Sequence, residues 1–218
     1  DSDSDSDTDS DTDSDTDTDS DTDSETETDT GTEDTGGGED FEYLWDDGTA
    51  ETSIGLTAGG DIWWASSFTV EGSADSIHTV KVAFGEGVYG SGVVIGAAYS
   101  VHVYEDPNDD GNLSDMVLVS SQNATVTNAP DQNLFDEVVL DTPAAVEGTF
   151  FVAVLMTQGA GVYPAGQDSA TDAGKGWIAG ASSGQMDPAN VNGTSDVVAP
   201  MLVSTYFPGN WLVRAIGN

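Results

Sequence analysis

The run Asp-Pro-Asn-Asp-Asp-Gly-Asn-Leu-Ser-Asp at 106–115 is where residue types and spacing come closest to defined chemistry. Asp106, Asn108 and Asp110, followed by Gly111, fit the D-x-[DN]-x-[DN]-G half of a calcium loop. In such a loop, oxygens at alternate positions wrap one hard cation and glycine permits the sharp turn. Asn112 offers a carbonyl, and Ser114 or Asp115 a further oxygen. The twelfth position is Val117, so the bidentate glutamate of an EF-hand is missing. Two readings stand at this point: a calcium site made by Asp106, Asn108, Asp110, Asn112 and Asp115, or an acidic hairpin turn rich in Asn, Asp and Gly.

A second chemistry is written in hydroxyls. From Asp1 to Thr30 every odd residue is acidic and every even one is Ser2, Ser4, Ser6, Thr8, Ser10, Thr12, Ser14, Thr16, Thr18, Ser20, Thr22, Ser24, Thr26, Thr28 or Thr30. In an extended chain, carboxylates line one edge and hydroxyls the other. Carboxylates about 7 Å apart repel by about 0.6 kcal/mol in water, which stiffens the chain without folding it. The hydroxyl edge is a dense array of O-glycosylation acceptors, and a solvated charged spacer is the plain alternative. Phosphorylation would add charge to a tract already saturated with it. The tract resembles the Ser-Asp dipeptide stalks of bacterial cell-surface adhesins, whose serines carry sugars, although those stalks follow their binding domains and this one precedes it. That resemblance implies covalent O-glycans and a surface location.

The remaining motifs are weaker. Gly85–Gly90 reads G-x-G-x-x-G but joins two strand patterns, so no helix N-terminus is available to hold a pyrophosphate. Gly180–Gly184 reads G-x-S-x-G outside any α/β context, and the only histidines, His78 and His102, lie in strand interiors. With no Cys and no H-E-x-x-H spacing, those histidines make a thin zinc site. No grouping of acid, base and nucleophile emerges, so a non-enzymatic role is expected. Trp63 and Trp64 are adjacent in an alternating run, which puts one of them inward and leaves the other for contact with sugar or a second subunit. Asn112, Asn123 and Asn192 open N-x-S/T sequons, which usually stay unmodified in bacterial proteins.

The elements that must position these groups are strands. β-branched and aromatic runs recur at 41–45, 52–56, 61–70, 76–84, 92–105, 116–126, 134–140, 148–156, 174–180, 200–207 and 210–216, with Gly, Asp, Asn and Pro between them. No stretch sustains a helical period. This predicts an all-β fold, an antiparallel sandwich or jelly roll over 41–218, preceded by an extended repeat at 1–30 and a Gly-rich hinge at 31–40. Asp47-Gly48 is a strong hairpin signal and Gly59-Gly60 a weaker one. The order WDDGTAE, WWASSFTV, VYEDPNDDGNLSD, GTFFVAVLM, NWLVRAIG is similar to accessory β-sandwich domains of large secreted bacterial proteins. That likeness implies an extracellular module and leaves its ligand open.

Charge sets the partners. Three Lys and Arg stand against 41 Asp and Glu, for a net charge of −38. Such a surface repels nucleic acid and anionic membrane and suits divalent cations, salty water or a sugar coat. There are no cysteines for a disulfide scaffold. No apolar run reaches spanning length, so direct membrane insertion is not expected. A chain beginning at Asp1 without Met points to processing, with an export signal or anchor upstream. A grease-free polyanion takes a fixed shape only when sugars, cations or neighbouring copies hold it. The expected function is therefore a structural subunit of an extracellular fibril or surface assembly, self-associating along its O-glycosylated repeat. The alternative is a stalked adhesion module, dependent on carbohydrate or calcium, that binds glycans.

Overall fold

A computed structural model describes residues 40–70 and 76–218. Its strands are β1 (Phe41–Tyr43), β2 (Thr52–Ile54), β3 (Gly60–Thr69), β4 (Ser76–Ala83), β5 (Ala98–Glu105), β6 (Val117–Thr125), β7 (Phe135–Ala145), β8 (Thr149–Gln158), β9 (Ala165–Asp168), β10 (Gly176–Ala181), β11 (Val198–Leu202), β12 (Asn210–Trp211) and β13 (Val213–Gly217). One helical turn, α1 (Val191–Thr194), follows a 3-10 turn at Pro188–Asn190. The strands form a four-stranded sheet in the order β1-β13-β4-β7, a six-stranded sheet β11-β10-β3-β8-β5-β6, and a small sheet β12-β9-β2. All pairings are antiparallel, and the fold is the all-β sandwich expected.

The six-stranded sheet carries two apolar layers. One face sends Ile62, Trp64 and Phe68 of β3, Val101 and Val103 of β5, and Phe150, Val152 and Val154 of β8 into the main core, where Val80, Val82 and Val213 of the four-stranded sheet also pack. The other face sends Trp63, Ala65, Tyr104, Phe151 and Ala153 into a second layer, closed by Leu113 and Met186 from loops and Val191 from α1. A strand covered on both sides has no wet face, which is why residues 62–65 of β3 and 150–156 of β8 read as continuous apolar runs. Trp63 and Trp64 are both fully buried, so neither reaches sugar or a second subunit from the surface. The expectation that one of them faces outward fails because loops cover the face that a simple two-layer sandwich would leave wet.

Turn signals were right about direction and wrong about partners. Gly48 does turn, at φ +92, with its N–H donating to Asp46 Oδ1 at 2.9 Å. Yet β1 pairs with β13 and β2 with β9, so Asp47-Gly48 closes no hairpin, and Gly59-Gly60 likewise links strands that do not pair. The run at 92–105 is strand only from Ala98; Gly92 and Gly96, at φ +77 and +87, turn the chain before it. The run at 210–216 divides at Leu212, whose N–H donates to Gly166 O at 3.1 Å. Among the described residues no helix is long and apolar enough to cross a membrane.

Candidate metal centre

The loop from Glu105 to Val117 joins β5 to the edge strand β6. It is tied at its base where Asp106 N–H donates to Thr149 O at 3.1 Å and Thr149 N–H donates to Asp109 Oδ1 at 2.7 Å. Hydrogen bonds from the Thr149 side chain and backbone hold the Asp109 carboxyl below the ordinary aspartate value. Inside the loop, side-chain oxygens cap successive N–H groups: Gly111 N–H to Asp106 Oδ2 at 2.6 Å, Asp110 N–H to Asn108 Oδ1 at 3.1 Å, Asn112 N–H to Asp110 Oδ1 at 2.8 Å, and Ser114 N–H to Asn112 Oδ1 at 3.0 Å. Gly111, at φ +73, supplies the turn the sequence pattern called for. Leu113 is buried in the second apolar layer, and its carbonyl accepts Asn192 Nδ2–H at 2.7 Å from α1.

This winding brings Asp106, Asp110 and Asp115 together, each with a carboxylate oxygen within 4.8 Å of the others. Asp106 is 3% exposed, and its Oδ1 is buried with no hydrogen-bond partner; Asp115 Oδ1 is buried and unpartnered as well. Unpaired buried carboxylate oxygens are costly. Carboxylates this close also repel by about 3 kcal/mol per pair near a protein surface. A hard divalent cation with oxygen ligands removes both penalties, and the donors present fit calcium better than a metal that prefers nitrogen or sulfur. Asn108 and Asn112 are exposed and act as caps of the loop backbone.

The other candidates separate from this site. Asp47, Glu51 and Asp168 also gather, but Asp168 is saturated by N–H groups of Asp47, Ala170 and Thr171 and by the Thr171 hydroxyl, so it ties a turn. His78 Nε2 sits 3.4 Å from Asp40 Oδ1, while His102 is buried beside Ser100 Oγ at 2.8 Å. Ser182 of the G-x-S-x-G match donates its hydroxyl to Asp196 Oδ2 at 2.9 Å. In the G-x-G-x-x-G loop, the buried Glu86 carboxylate accepts the N–H groups of Val88 and Tyr89. The hydroxyl array Ser2 to Thr30 lies outside the described residues.

Trp45 is one of five tryptophans that the sequence offers for sugar stacking, with Trp63, Trp64, Trp177 and Trp211, and it is the most exposed of them. It is 40% exposed, its Nε1–H donates to Ser67 O at 2.8 Å, and its ring lies parallel to Phe68 with centroids 6.1 Å apart. At the end of the 41–45 run and beside the Asp46-Asp47 turn, it carries no sequence signal that sets it apart from the buried tryptophans.

No family model matches this sequence, and no curated protein matches it. Among solved structures, the chain is similar to the Clostridial cysteine protease Cwp84 after propeptide cleavage, at 13% identity and a TM-score of 0.53, over 81% of this chain and 39% of that one. A second structure, of the cysteine protease and lectin-like domains of Cwp84, a surface layer associated protein of Clostridium difficile, matches at 15% identity and a TM-score of 0.46, over 72% of this chain and 32% of that one. At this identity the first likeness speaks to the fold, and the present chain spans well under half of its neighbour's length.

Proposed function

We propose that residues 41–218 form a calcium-stabilised adhesion module of an extracellular or cell-surface protein, carried on an O-glycosylated Asp-Ser/Thr stalk. The observation that carries this reading is the buried, unpartnered Asp106 Oδ1 next to Asp110 and Asp115. Three carboxylates without the twelfth-position glutamate make a weak site, matched to extracellular modules with dissociation constants of about 0.1–1 mM. Such a site fills only where calcium is abundant, as it is outside cells. The ion's role is architectural: the loop it closes also holds Leu113 in the second apolar layer and meets Asn192 of α1. This site belongs to the sandwich domain and so supports the binding-module reading; the repeat at 1–30, on which the fibril reading rests, lies outside the described residues.

The test is thermal unfolding of the full chain in chelator and in rising calcium, with Asp106→Asn alongside. Calcium at about tenfold its dissociation constant adds about 1.4 kcal/mol, raising Tm by about 3–6 °C for a domain of this size. The Asp106→Asn variant should lose that rise, and magnesium at equal concentration should give less. An unchanged Tm up to about 10 mM calcium, well beyond the affinity range of such loops, removes the calcium reading.

A further inference from the structure

The chain has three strong cations, and two of them are neutralised inside the fold. Lys81 pairs with Glu42 at 3.1 Å and Glu137 at 3.6 Å, and Arg214 with Asp46 at 2.6 Å and Glu42 at 3.5 Å. Among the described residues Lys175 makes no ion pair and its side chain is exposed, in a protein of net charge −38. It lines a groove of about 250 Å³ together with Phe41, Leu44, Trp45, Phe68 and Thr69. Glu42 also borders the groove, but its carboxylate is held by Lys81 and Arg214.

The floor of this groove is tied to the sheet by hydrogen bonds and ring contacts. The Trp45 ring lies parallel to Phe68 with centroids 6.1 Å apart, and Phe68 in turn packs tilted against the buried Phe150 at 5.7 Å. The Trp45 indole N–H is fixed by Ser67 O, and Ser67 N–H donates in turn to Lys175 O at 3.0 Å. One residue thus couples the flat ring to the backbone of the free cation. A pre-oriented aromatic surface loses little entropy when a ligand settles on it. Its flat apolar face matches the C–H face of a pyranose. The ammonium of Lys175, on a residue lining the same groove, matches a carboxylate, through a charge-assisted hydrogen bond stronger than one to a neutral hydroxyl.

We propose that this groove binds an acidic saccharide, with a uronate ring stacked on Trp45, its carboxylate on Lys175 and the Thr69 hydroxyl available to a ring hydroxyl. The proposal names a ligand class for the adhesion reading and does not depend on the cation loop, so it can fail while calcium binding stands. Long-range repulsion from the acidic surface is confined to about 8 Å at physiological salt, so it slows approach more than it weakens a direct contact.

The experiment is a titration of the full chain with oligogalacturonate, with a neutral galacto-oligosaccharide as the control, followed by calorimetry and by tryptophan fluorescence. Oligogalacturonate should bind saturably and change the fluorescence. Lys175→Gln should weaken it about tenfold or more, the loss of one hydrogen bond to a charged group. Lys175 is exposed, so this variant keeps the fold, and an unchanged Tm verifies that. Trp45→Phe should also weaken binding, and the neutral oligosaccharide should bind at least tenfold more weakly than the acidic one. Absence of saturable binding overturns the proposal. So does equal affinity for the neutral sugar, or affinity indifferent to Lys175→Gln. Binding that appears only after residues 1–39 are removed overturns it too, because the chain's own acidic tract is then the occupant.

Discussion

His102 sits in the middle of β5, 1% exposed, with Nε2 against Ser100 Oγ at 2.8 Å, Nδ1 unpartnered and the Tyr104 ring 6.2 Å away. Burial disfavours the imidazolium and drops the pKa from 6.5 to about 4. The sign follows from proton counting. Between 6.5 and 4 the unfolded chain binds a proton that the folded chain does not, so stability is fully present above 6.5 and is lost as pH falls toward 4. The gap corresponds to about 3 kcal/mol, a large part of the stability of an ordinary domain. Carboxylate titration and relief of charge repulsion also act on acidification, so the wild-type profile alone does not isolate this group. His102→Gln does, because it removes the titrating ring and keeps a polar group near Ser100. Urea unfolding of both proteins across this pH range should show their stability difference shifting by about 3 kcal/mol in favour of the variant. A pH-independent difference refutes the buried-imidazole account.

Further perturbations address the rest of the fold. Asp46, with its side chain fully buried, receives Arg214 through Nε and Nη2; Asp46→Ala should cost about 3–5 kcal/mol by chemical unfolding, and adding Arg214→Met should recover part of it. Trp63→Ala and Trp64→Ala should each cost about 3–5 kcal/mol by the same measurement, with equal severity on the two faces because both are closed. At Gly111 an added Cβ meets nothing within 4 Å, so Gly111→Ala should lower stability by only about 1 kcal/mol through its φ of +73, while weakening calcium binding measured by calorimetry.

Much of this was legible because strand formation and loop winding are local. The period-two runs and intervening Gly and Asp residues located all but one strand. The exception, β9, is Ala-Gly-Gln-Asp and has no apolar signal; it is a strand because β2 and β12 pair with it on either side. The gathering of Asp106, Asp110 and Asp115 was readable in part because ten consecutive residues hold all three, whereas the capping roles of Asn108 and Asn112 and the ties to Thr149 and Asn192 were not. Pairing partners were not, because a turn signal at Gly48 gives a change of direction and says nothing of which distant strand offers free N–H groups. Nor was the burial of both Trp63 and Trp64, which depends on Leu113, Met186 and Val191 arriving from 50 to 130 residues away. The groove at Trp45 and Lys175 spans a similar separation and is equally invisible to spacing.

The pairing of Phe41 with Gly217 has a mechanical consequence. The polypeptide enters along one strand and leaves along its antiparallel neighbour, at the same end of the sheet. Tension drawn between those two points would part the β1–β13 ladder rung by rung, as a zipper opens, and would never load many rungs at once. The domain therefore resists stretching poorly when it is a link within a taut line, whereas hung from one side it is spared the force altogether.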